Sequence, residues 1–586
     1  MNKFILRRLS SDQKSFNTVE FNEGFNVVIA DRTEKSSEEN SRNGVGKTLL
    51  IRLIDFCLGS DFNHSQNNLP FDEWTFSLEF LLDDRKISAS RRVIDKNLIT
   101  INGDLSGLLI NQQQKIDGSY QLSTKDWNFL LGGLIFNIPK KSSHGLSTPT
   151  YRQLISYFTR HEPESYLDPF TFYPKLSTYK TNIFNTFLLN LNWEYASEFE
   201  KLHIDEEKIK KTQKSLDEGI FKDFIGSLGD LESELINIDL ELFQAKKSLS
   251  EFRVLPQYHQ IQKHADNLTK KIHEHVNQGI VFNRLLQLYG ETTSNEIDIP
   301  ISSVTNLYKE TGFTFPGIVV KKLEQVREFH NLVVSNRKQF LHDEISRLSG
   351  EIKTLDNEIE KLSKERAELL KILNEHGALE EYTLLQQLAL NIQQKRDNLT
   401  NKVELLKKFE KKASEIKIER ETLKQKTRLD LDDRQDLKKE IQTFFSQNSG
   451  YIYIKPGILS ISIGDNGFKF NIEIKKSKSE AVGYMKILCY DLLLAEHRTK
   501  SALKPNFLIH DSTVFNGVDS VQKAKAIQLA YDKSVNNGFQ YICTINSDMI
   551  PYKNFRPDFL QKFEDSVVLK LMDDDPSGKL LGIDFE

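Results

Sequence analysis

Apolar and polar positions divide the chain into three stretches of different periodicity. From residue 1 to about 190, short apolar runs alternate with amphipathic segments. GFNVVIA (24–30) is a short apolar run containing β-branched residues, the pattern of a buried strand. TLLIRLIDFCLG (48–59) carries its apolar residues at helical spacing and ends on Gly59, a C-cap residue. WTFSLEFLLDDRKISASRRV (74–93) alternates on either side of DDRK and predicts a hairpin, and KNLITINGD adds a strand.

From residue 192 to about 445, proline and glycine become scarce and charge density rises. Ile345, Leu348, Ile352, Leu355, Ile359 and Leu362 are spaced 3, 4, 3, 4 and 3, an a/d seam that weakens at Arg366. Leu231, Leu235, Ile238 and Leu242 form an earlier seam, and the Gly- and Pro-containing stretch 290–317 between the two predicts an apex. Breaks are expected near Gly226, Pro256 and Gly377. Two antiparallel coiled-coil arms follow from this pattern; a compact helical bundle is the alternative.

Residues 446–586 return to α/β periodicity. YIYIKPGILSISIGDNGFKFNIEIK reads as a β-meander turning at KPG and GDNG. A helix (482–498), strand NFLIHD, a helix (519–535), strand FQYICTI and a terminal pair, VVLKL and LLGIDF, complete the expectation. The resulting boundaries are 1–191, 192–289, 290–320, 321–445 and 446–586.

The length of 586 residues allows several domains. With Lys+Arg 79 against Asp+Glu 83, the net charge of −4 leaves any nucleic-acid surface to be local. No apolar run is long enough to span a bilayer, and MNKFILRRLS is too short in apolar length for a secretory signal. Cys57, Cys489 and Cys543 lie far apart in apolar surroundings, as buried thiols do in a reducing compartment. A cytoplasmic location is expected.

The chemistry is concentrated in SRNGVGKTLL (41–50). The phosphate-loop pattern is G-x-x-x-x-G-K-[ST], and here Ser41 stands for the first glycine. The candidate nucleotide contacts are Asn43, Gly44, Val45, Gly46, Lys47, Thr48 and Leu49. Such a loop aims backbone N–H groups at phosphates, while the lysine adds charge and the Thr hydroxyl ligates Mg²⁺. An acidic insertion, DRTEKSSEEN (31–40), separates the strand from the loop. A second magnesium-holding group, an aspartate ending an apolar strand, is found in NFLIHDS as Asp511.

A nucleotide-binding fold interrupted by a long helical hairpin resembles the SMC-type ABC ATPases, the class of the chromosome-maintenance and double-strand-break-repair ATPases. NGVGKTLLIRLIDFCLG, YRQLISYFTR, HGALEEYT and FLIHDSTVFNGVD further resemble the SMC-like ATPases of bacterial three-component ABC defence systems. The resemblance implies an α/β ABC-type ATPase head assembled from N- and C-terminal halves and split by a long antiparallel coiled-coil insertion. It implies ATP and Mg²⁺ as ligands and a homodimer that sandwiches ATP between heads. It also implies partner proteins, such as a nuclease effector and a small accessory subunit. Ser479 stands where the signature serine would be, although Glu480 and Ala481 replace the two glycines that follow it. Gln153 is a candidate γ-phosphate sensor, with NQQQK (111–115) competing, and Asp519 is a candidate for the loop that crosses the dimer, or a helix N-cap.

Two departures bear on hydrolysis. Ser512 follows Asp511 where the family places the water-orienting glutamate, and Asn546-Ser547-Asp548 stands where a histidine is common. A serine is no base near neutral pH without an activating group. Either Asp548, His510 or Asp519 substitutes, or the head acts as a slow, ATP-gated clamp. The apex contains no C-x-x-C, so the zinc hook of the break-repair ATPases is absent. Residues 401–428 carry ten basic and five acidic residues, a net +5, on the arm returning to the head, where related ATPases bind the DNA backbone without sequence preference. A solvated helix face would look the same. The alternatives left open are a DNA-repair or chromosome-organising ATPase and a non-hydrolysing scaffold for an effector.

Overall fold

Six consecutive residues of the apolar run, Phe25–Ala30, are all buried, as a central parallel strand requires. They form β3 of a computed structural model that describes residues 3–31, 44–61, 71–105, 118–139, 146–218, 227–252, 256–294, 323–374, 379–474 and 479–584. Ser41, Asn43, the 111–115 glutamines, most of the expected apex, and the breaks at Gly226 and Gly377 lie outside the described residues. The chain begins β1 (Phe4–Ser11), β2 (Val19–Glu20), β3, α1 (Lys47–Cys57), β4 (Thr75–Leu82), β5 (Arg85–Arg92), β6 (Leu98–Gly103) and β7 (Tyr120–Ser123). There follow α2 (Thr124–Phe136), α3 (Tyr151–Ile155), β8 (Thr159–Arg160), α4 (Thr178–Leu188) and α5 (Trp193–Glu218). Long helices come next: α6 (Leu228–Glu251), α7 (Pro256–Ser294), α8 (Leu323–Asn374) and α9 (Leu379–Asp433). The chain closes with α10 (Gln435–Ile452), β9 (Ile458–Gly464), β10 (Gly467–Glu473), α11 (Glu480–Lys500), β11 (Phe507–His510), α12 (Ser520–Asn537), β12 (Gln540–Asn546), α13 (Leu560–Asp565) and β13 (Val567–Leu571).

One compact unit draws on the two ends of the chain, within 1–204 and 419–586, and the other on 205–300 and 327–418. In the first, a parallel sheet has the order β13-β3-β12-β11-β8, so strands from both ends interleave. An antiparallel sheet, β2-β1-β4-β5-β6-β7, comes wholly from the N-terminal part. Its β4–β5 hairpin turns at Asp83 and Asp84, whose φ values of 53° and 67° suit a tight turn of the type that matches strand twist. Side chains of the C-terminal part complete backbone pairing in the N-terminal part: Asn506 Oδ1 accepts from Phe4 N at 2.9 Å, and Gln540 bonds both Leu6 N and Leu6 O.

The second unit is helical. Leu231 and Ile238 of α6 pack with Leu399 and Val403 of α9. The ion pairs Glu232–Lys407 and Asp239–Arg396 descend along α9 as α6 ascends, so the two helices are antiparallel. His264–Glu365 and His275–Glu358 set α7 against α8 in the same sense. The seam residues Leu348 and Leu355 are buried, as are Leu231, Ile238 and Leu242.

Three expectations need correction. YIYI is no strand. Ile441, Phe444, Phe445, Asn448, Ser449 and Ile452 make one buried helical face, which carries α10 through Ile452 and leaves Ile454 98% exposed. The expected meander is therefore a two-stranded hairpin, and the 445/446 boundary falls inside a helix. LLGIDF is also no strand; Leu580 N instead donates to Val45 O at 3.0 Å.

All three cysteines are free and buried. Burial pushes the Cys57 thiol up to about 12, and Cys489 and Cys543 are raised for the same reason. Native protein treated with iodoacetamide at pH 8 is expected to take up no label on these thiols until denaturant is added. Rapid labelling of the folded protein would contradict this packing.

Candidate functional site

The carboxyl ends of parallel strands are where open α/β sheets bind ligands. Here β3 leads through residues outside the described set to the loop Gly44–Gly46, which begins α1. Gly46 is the N-cap, with φ 102°, in left-handed space that a side chain rarely adopts. A Cβ at Gly46 would also stand 2.6 Å from Leu580 Cβ. The loop is pinned beneath by Leu580 N bonding Val45 O, and α1 begins at once with Leu50 N donating to Gly46 O at 2.9 Å. Lys47 is buried at the helix N-terminus, Thr48 is half-buried, and Leu49 packs against the core.

Thr48 Oγ1 donates to Asp511 Oδ2 at 2.9 Å, across 463 residues of sequence. Asp511 follows β11 directly and is almost wholly buried. Its other oxygen accepts from Thr513 N at 3.0 Å, Thr513 Oγ1 at 2.8 Å and Ser512 Oγ at 3.3 Å. Thr544 of β12 donates to Asp511 Oδ2 at 3.4 Å and accepts from Ser512 N at 3.1 Å. Four hydroxyl donors thus hold one carboxylate in place. A threonine hydroxyl and one fixed carboxylate are a fitting protein share of a Mg²⁺ shell, because that ion takes its remaining oxygens from phosphates and water. Among the described residues, no group of three or more His, Cys, Asp or Glu forms a separate metal cage.

The remaining candidates are spread out. His510 and Asp511 are consecutive on one strand and point to opposite faces. His510 is fully buried, with Nδ1 3.0 Å from Tyr541 Oη and Nε2 2.9 Å from Asp491 Oδ2. Asp491 of α11 also takes two hydrogen bonds from Arg160, at 2.7 and 3.1 Å. Burial pulls the Arg160 guanidinium down, but the charge and hydrogen bond of Asp491, together with Tyr157 and Tyr166, raise the group overall. Tyr166 links this network to the site: its hydroxyl donates to Arg160 O at 2.8 Å and accepts from Asp511 N at 2.9 Å. Both ring nitrogens of His510 are therefore engaged away from the Thr48–Asp511 pair.

Gln153 is part of a capping box on α3, its Oε1 accepting from Thr150 N at 2.8 Å. Asp519 caps α12, accepting from Val521 N at 2.9 Å. Asp548 is exposed in the turn after β12. Burial lowers the Lys523 ammonium, while Asp548 and Asp519 both act to raise it, so these two carboxylates flank one lysine. Ser479 is the exposed N-cap of α11 and makes no side-chain cap bond. In the 401–428 segment, Lys407 and Lys424 are paired, Lys402 is buried and Arg420 is engaged. Lys408, Lys411, Lys412, Lys417, Lys426 and Arg428 are exposed and form no ion pair among the described residues.

Sequence reasoning missed a pair at the carboxyl end of β8. His161 Nδ1 lies 2.9 Å from Thr159 O and Nε2 lies 3.3 Å from Glu162, which in turn pairs with Arg52 of α1 at 3.0 Å. The His161 hydrogen bond, against the effect of burial and with help from Arg52, holds Glu162 down to about 2. Burial pulls His161 down, yet the Glu162 hydrogen bond and the nearby carboxylates raise it overall. YFTRHE contained the signal, but without strand β8 nothing distinguished it from surface polar sequence.

Gly46→Ala is expected to cost more than about 1 kcal/mol and to remove nucleotide binding, because it strains the backbone and strikes Leu580. Leu580→Ala in the same chain keeps the clashing Cβ and should restore nothing, whereas Leu580→Gly should relieve the contact but not the backbone strain. Thermal melts with and without ATP check both, and an unaltered Gly46→Ala protein would overturn the loop geometry.

Comparison with known proteins gives two family matches. Residues 448–585 match a family described as an uncharacterised protein conserved in bacteria (DUF2326). Residues 282–392 match C-terminal domain 10 of the ABC-three component (ABC-3C) systems; here that segment lies mid-chain, from α7 into α9. The chain is 20% identical over 560 residues to the uncharacterized protein YydD of Bacillus subtilis (strain 168), covering 90% of each. A crystal structure of the Smc head domain with a coiled coil and joint, derived from Pyrococcus yayanosii, aligns with 97% of this chain and 95% of its own at 13% identity. Its TM-score is 0.34, a likeness too distant to carry an argument. With the CTD10 segment matched, the resemblance of this chain to the SMC-like ABC ATPases of the ABC-three component systems is supported.

Proposed function

We propose that the chain binds Mg-ATP at the Gly44–Thr48 loop and uses it to close two heads on each other. The observation that carries this reading is the 2.9 Å bond between Thr48 and Asp511, which unites a phosphate-loop threonine and a strand-terminal aspartate from opposite ends of the chain. Backbone N–H groups at the start of α1 and the Lys47 ammonium would take the phosphates. Thr48 and Asp511 would hold Mg²⁺, which when bound neutralises charge on the terminal phosphates. Ser479, exposed at the start of α11 with its hydroxyl uncommitted to a cap, would meet the nucleotide of a second head.

Ser512 supplies no carboxylate to orient water. Of the three substitutes considered, His510 is committed to Asp491 and Tyr541, and Asp519 is committed to capping α12. Asp548, exposed in its turn beside Lys523, is the third candidate. A carboxylate so open to solvent is a poorer base than a fixed glutamate beside the nucleotide. The proposed cycle is therefore slow: a long-lived closed dimer that releases after occasional hydrolysis. The six basic residues of 408–428 named above would hold a DNA backbone, and the three-component character of the CTD10 family supports protein partners; a nuclease effector is the partner class that the SMC-like resemblance implies. The role that fits is a sensor or motor in bacterial antiphage or antiplasmid defence, in the cytoplasm.

Lys47→Ala is expected to abolish ATP binding, and wild-type basal turnover should fall below about 1 s⁻¹, the low end of common enzymes. Equilibrium binding and steady-state hydrolysis on purified protein test both. Unchanged nucleotide affinity in Lys47→Ala would remove the ATP site, and rapid basal turnover abolished by Asp548→Asn would replace the slow cycle with an efficient one. Changing Lys408, Lys411, Lys412 and Lys417 together to Gln should weaken DNA binding equally across sequences. The salt dependence should become shallower by about 0.9 in log–log slope for each phosphate that the protein no longer neutralises. Binding that is unaffected would place the DNA surface elsewhere.

A further inference from the structure

The pair His161–Glu162 lies outside every role assigned so far. β8 runs parallel to β11, with Ile509 opposite Thr159 and His510 opposite Arg160. Asp511 N continues the ladder toward Arg160 O, so Asp511 and His161 leave neighbouring strands side by side. Neighbouring strands lie about 4.8 Å apart. Both residues face α1. Asp511 meets Thr48, and Glu162, which His161 holds, meets Arg52, one helical turn further along. Arg52 lies about 5.4 Å along α1 from Thr48 on the side away from the loop, so the pair is within about one helical turn of the proposed Mg-ATP site.

The chemistry of His161 is fixed by its partners. Thr159 O can only accept, so Nδ1 carries a proton and donates to it. Nε2 faces the Glu162 carboxylate, which the Arg52 guanidinium also holds. The ring is thus presented as a double donor, one edge anchored to its own strand and the other toward an anion. The side chain of Glu162, toward which Nε2 is turned, is 46% exposed, so solvent reaches the pair from the Glu162 side. A phosphate oxygen is a competing acceptor for the same N–H, and Arg52 can retain Glu162 when the exchange occurs.

We propose that His161 contacts the terminal phosphate of ATP through Nε2, with Glu162 and Arg52 as the positioning residues that hold its ring toward the site. The inference rests on the nucleotide reading above. It gives the head a donor aimed at the group that distinguishes ATP from ADP, where charge accumulates during phosphoryl transfer. It also gives the chain a γ-phosphate contact on β8, in place of the capped Gln153.

The test is the ratio of ATP to ADP affinity of the full-length chain with Mg²⁺, which needs no turnover. His161→Ala is expected to weaken ATP binding about tenfold, the worth of one charge-assisted hydrogen bond, while ADP binding changes less than about threefold. His161→Gln, which keeps a donor of similar reach, should retain most of the preference and guards against loss of fold in the alanine variant. Glu162→Gln should reduce the preference by a smaller factor. A pair that merely braces α1 against β8 would shift both nucleotides equally or neither, and an ATP/ADP ratio unchanged in His161→Ala overturns the proposal. Failure of wild-type protein to bind either nucleotide would sink the nucleotide reading itself. Normal binding by wild type, its loss in Lys47→Ala and an unchanged ratio in His161→Ala would sink only the role of His161.

Discussion

The parallel ladder between β3 and β12 is the constraint on which the rest depends. Six residue pairs, from Phe25 opposite Tyr541 to Ala30 opposite Asn546, join the two ends of the chain. β13 completes the other side of β3, and β11 and β8 extend the sheet beyond β12. A strand buried on both faces and paired on both edges leaves no backbone group unpartnered. This sets the depth at which the Gly44–Gly46 loop emerges, and it brings Asp511 to within hydrogen-bond distance of Thr48. Without the ladder, the two halves of the site would be unrelated parts of a long chain.

Beneath that edge lies a buried charge network. Arg160, Asp491 and His510 are fully desolvated, together with Tyr541. Burying such charges is expensive unless each is paired, and here Asp491 serves both Arg160 and His510. Arg160 is further satisfied by the carbonyls of Ser165, Pro169 and Thr171. Removing one member would strand the others in a low-dielectric interior. The network joins α11, β8, β11 and β12, and Tyr166 carries it to the backbone of Asp511. Helix α11, which begins at Ser479, is thereby fixed to the strand that carries the site aspartate.

Much of this was legible in the sequence because it follows local rules. The run GFNVVIA, the helix from Lys47 to Gly59 and the DDRK hairpin each obey one clear period or turn preference. The heptad seam is equally local, and its Leu348 and Leu355 are buried. What could not be read depended on contacts distant in sequence. YIYI alternates as a strand does, yet the helical face ending at Ile452 overrides it. Whether Gln153 or His161 faces the site depends on β8, a strand of two residues paired only through its distant partner. Asp519 matched either reading until its bond to Val521 N was seen. Leu580 looked like part of a strand, but its role is to close against Val45 and Gly46.

The interleaved sheet also affects how the protein is made. Gln540, which holds Leu6 in place, is synthesised 534 residues later. At about 5–20 residues per second, that delay is roughly half a minute to two minutes. For most of it, the strand Phe25–Ala30, apolar except for Asn26, has left the ribosome with neither neighbour present. An unpaired apolar edge held that long invites association with other nascent chains. The antiparallel sheet of β1, β2 and β4–β7 needs no later strand, so it can form early and cover the adjoining segment. A chain that stops before Leu580 would leave the Gly44–Gly46 loop without the support it rests on. The Gly44–Gly46 loop thus gains its full support only once Leu580 has been made.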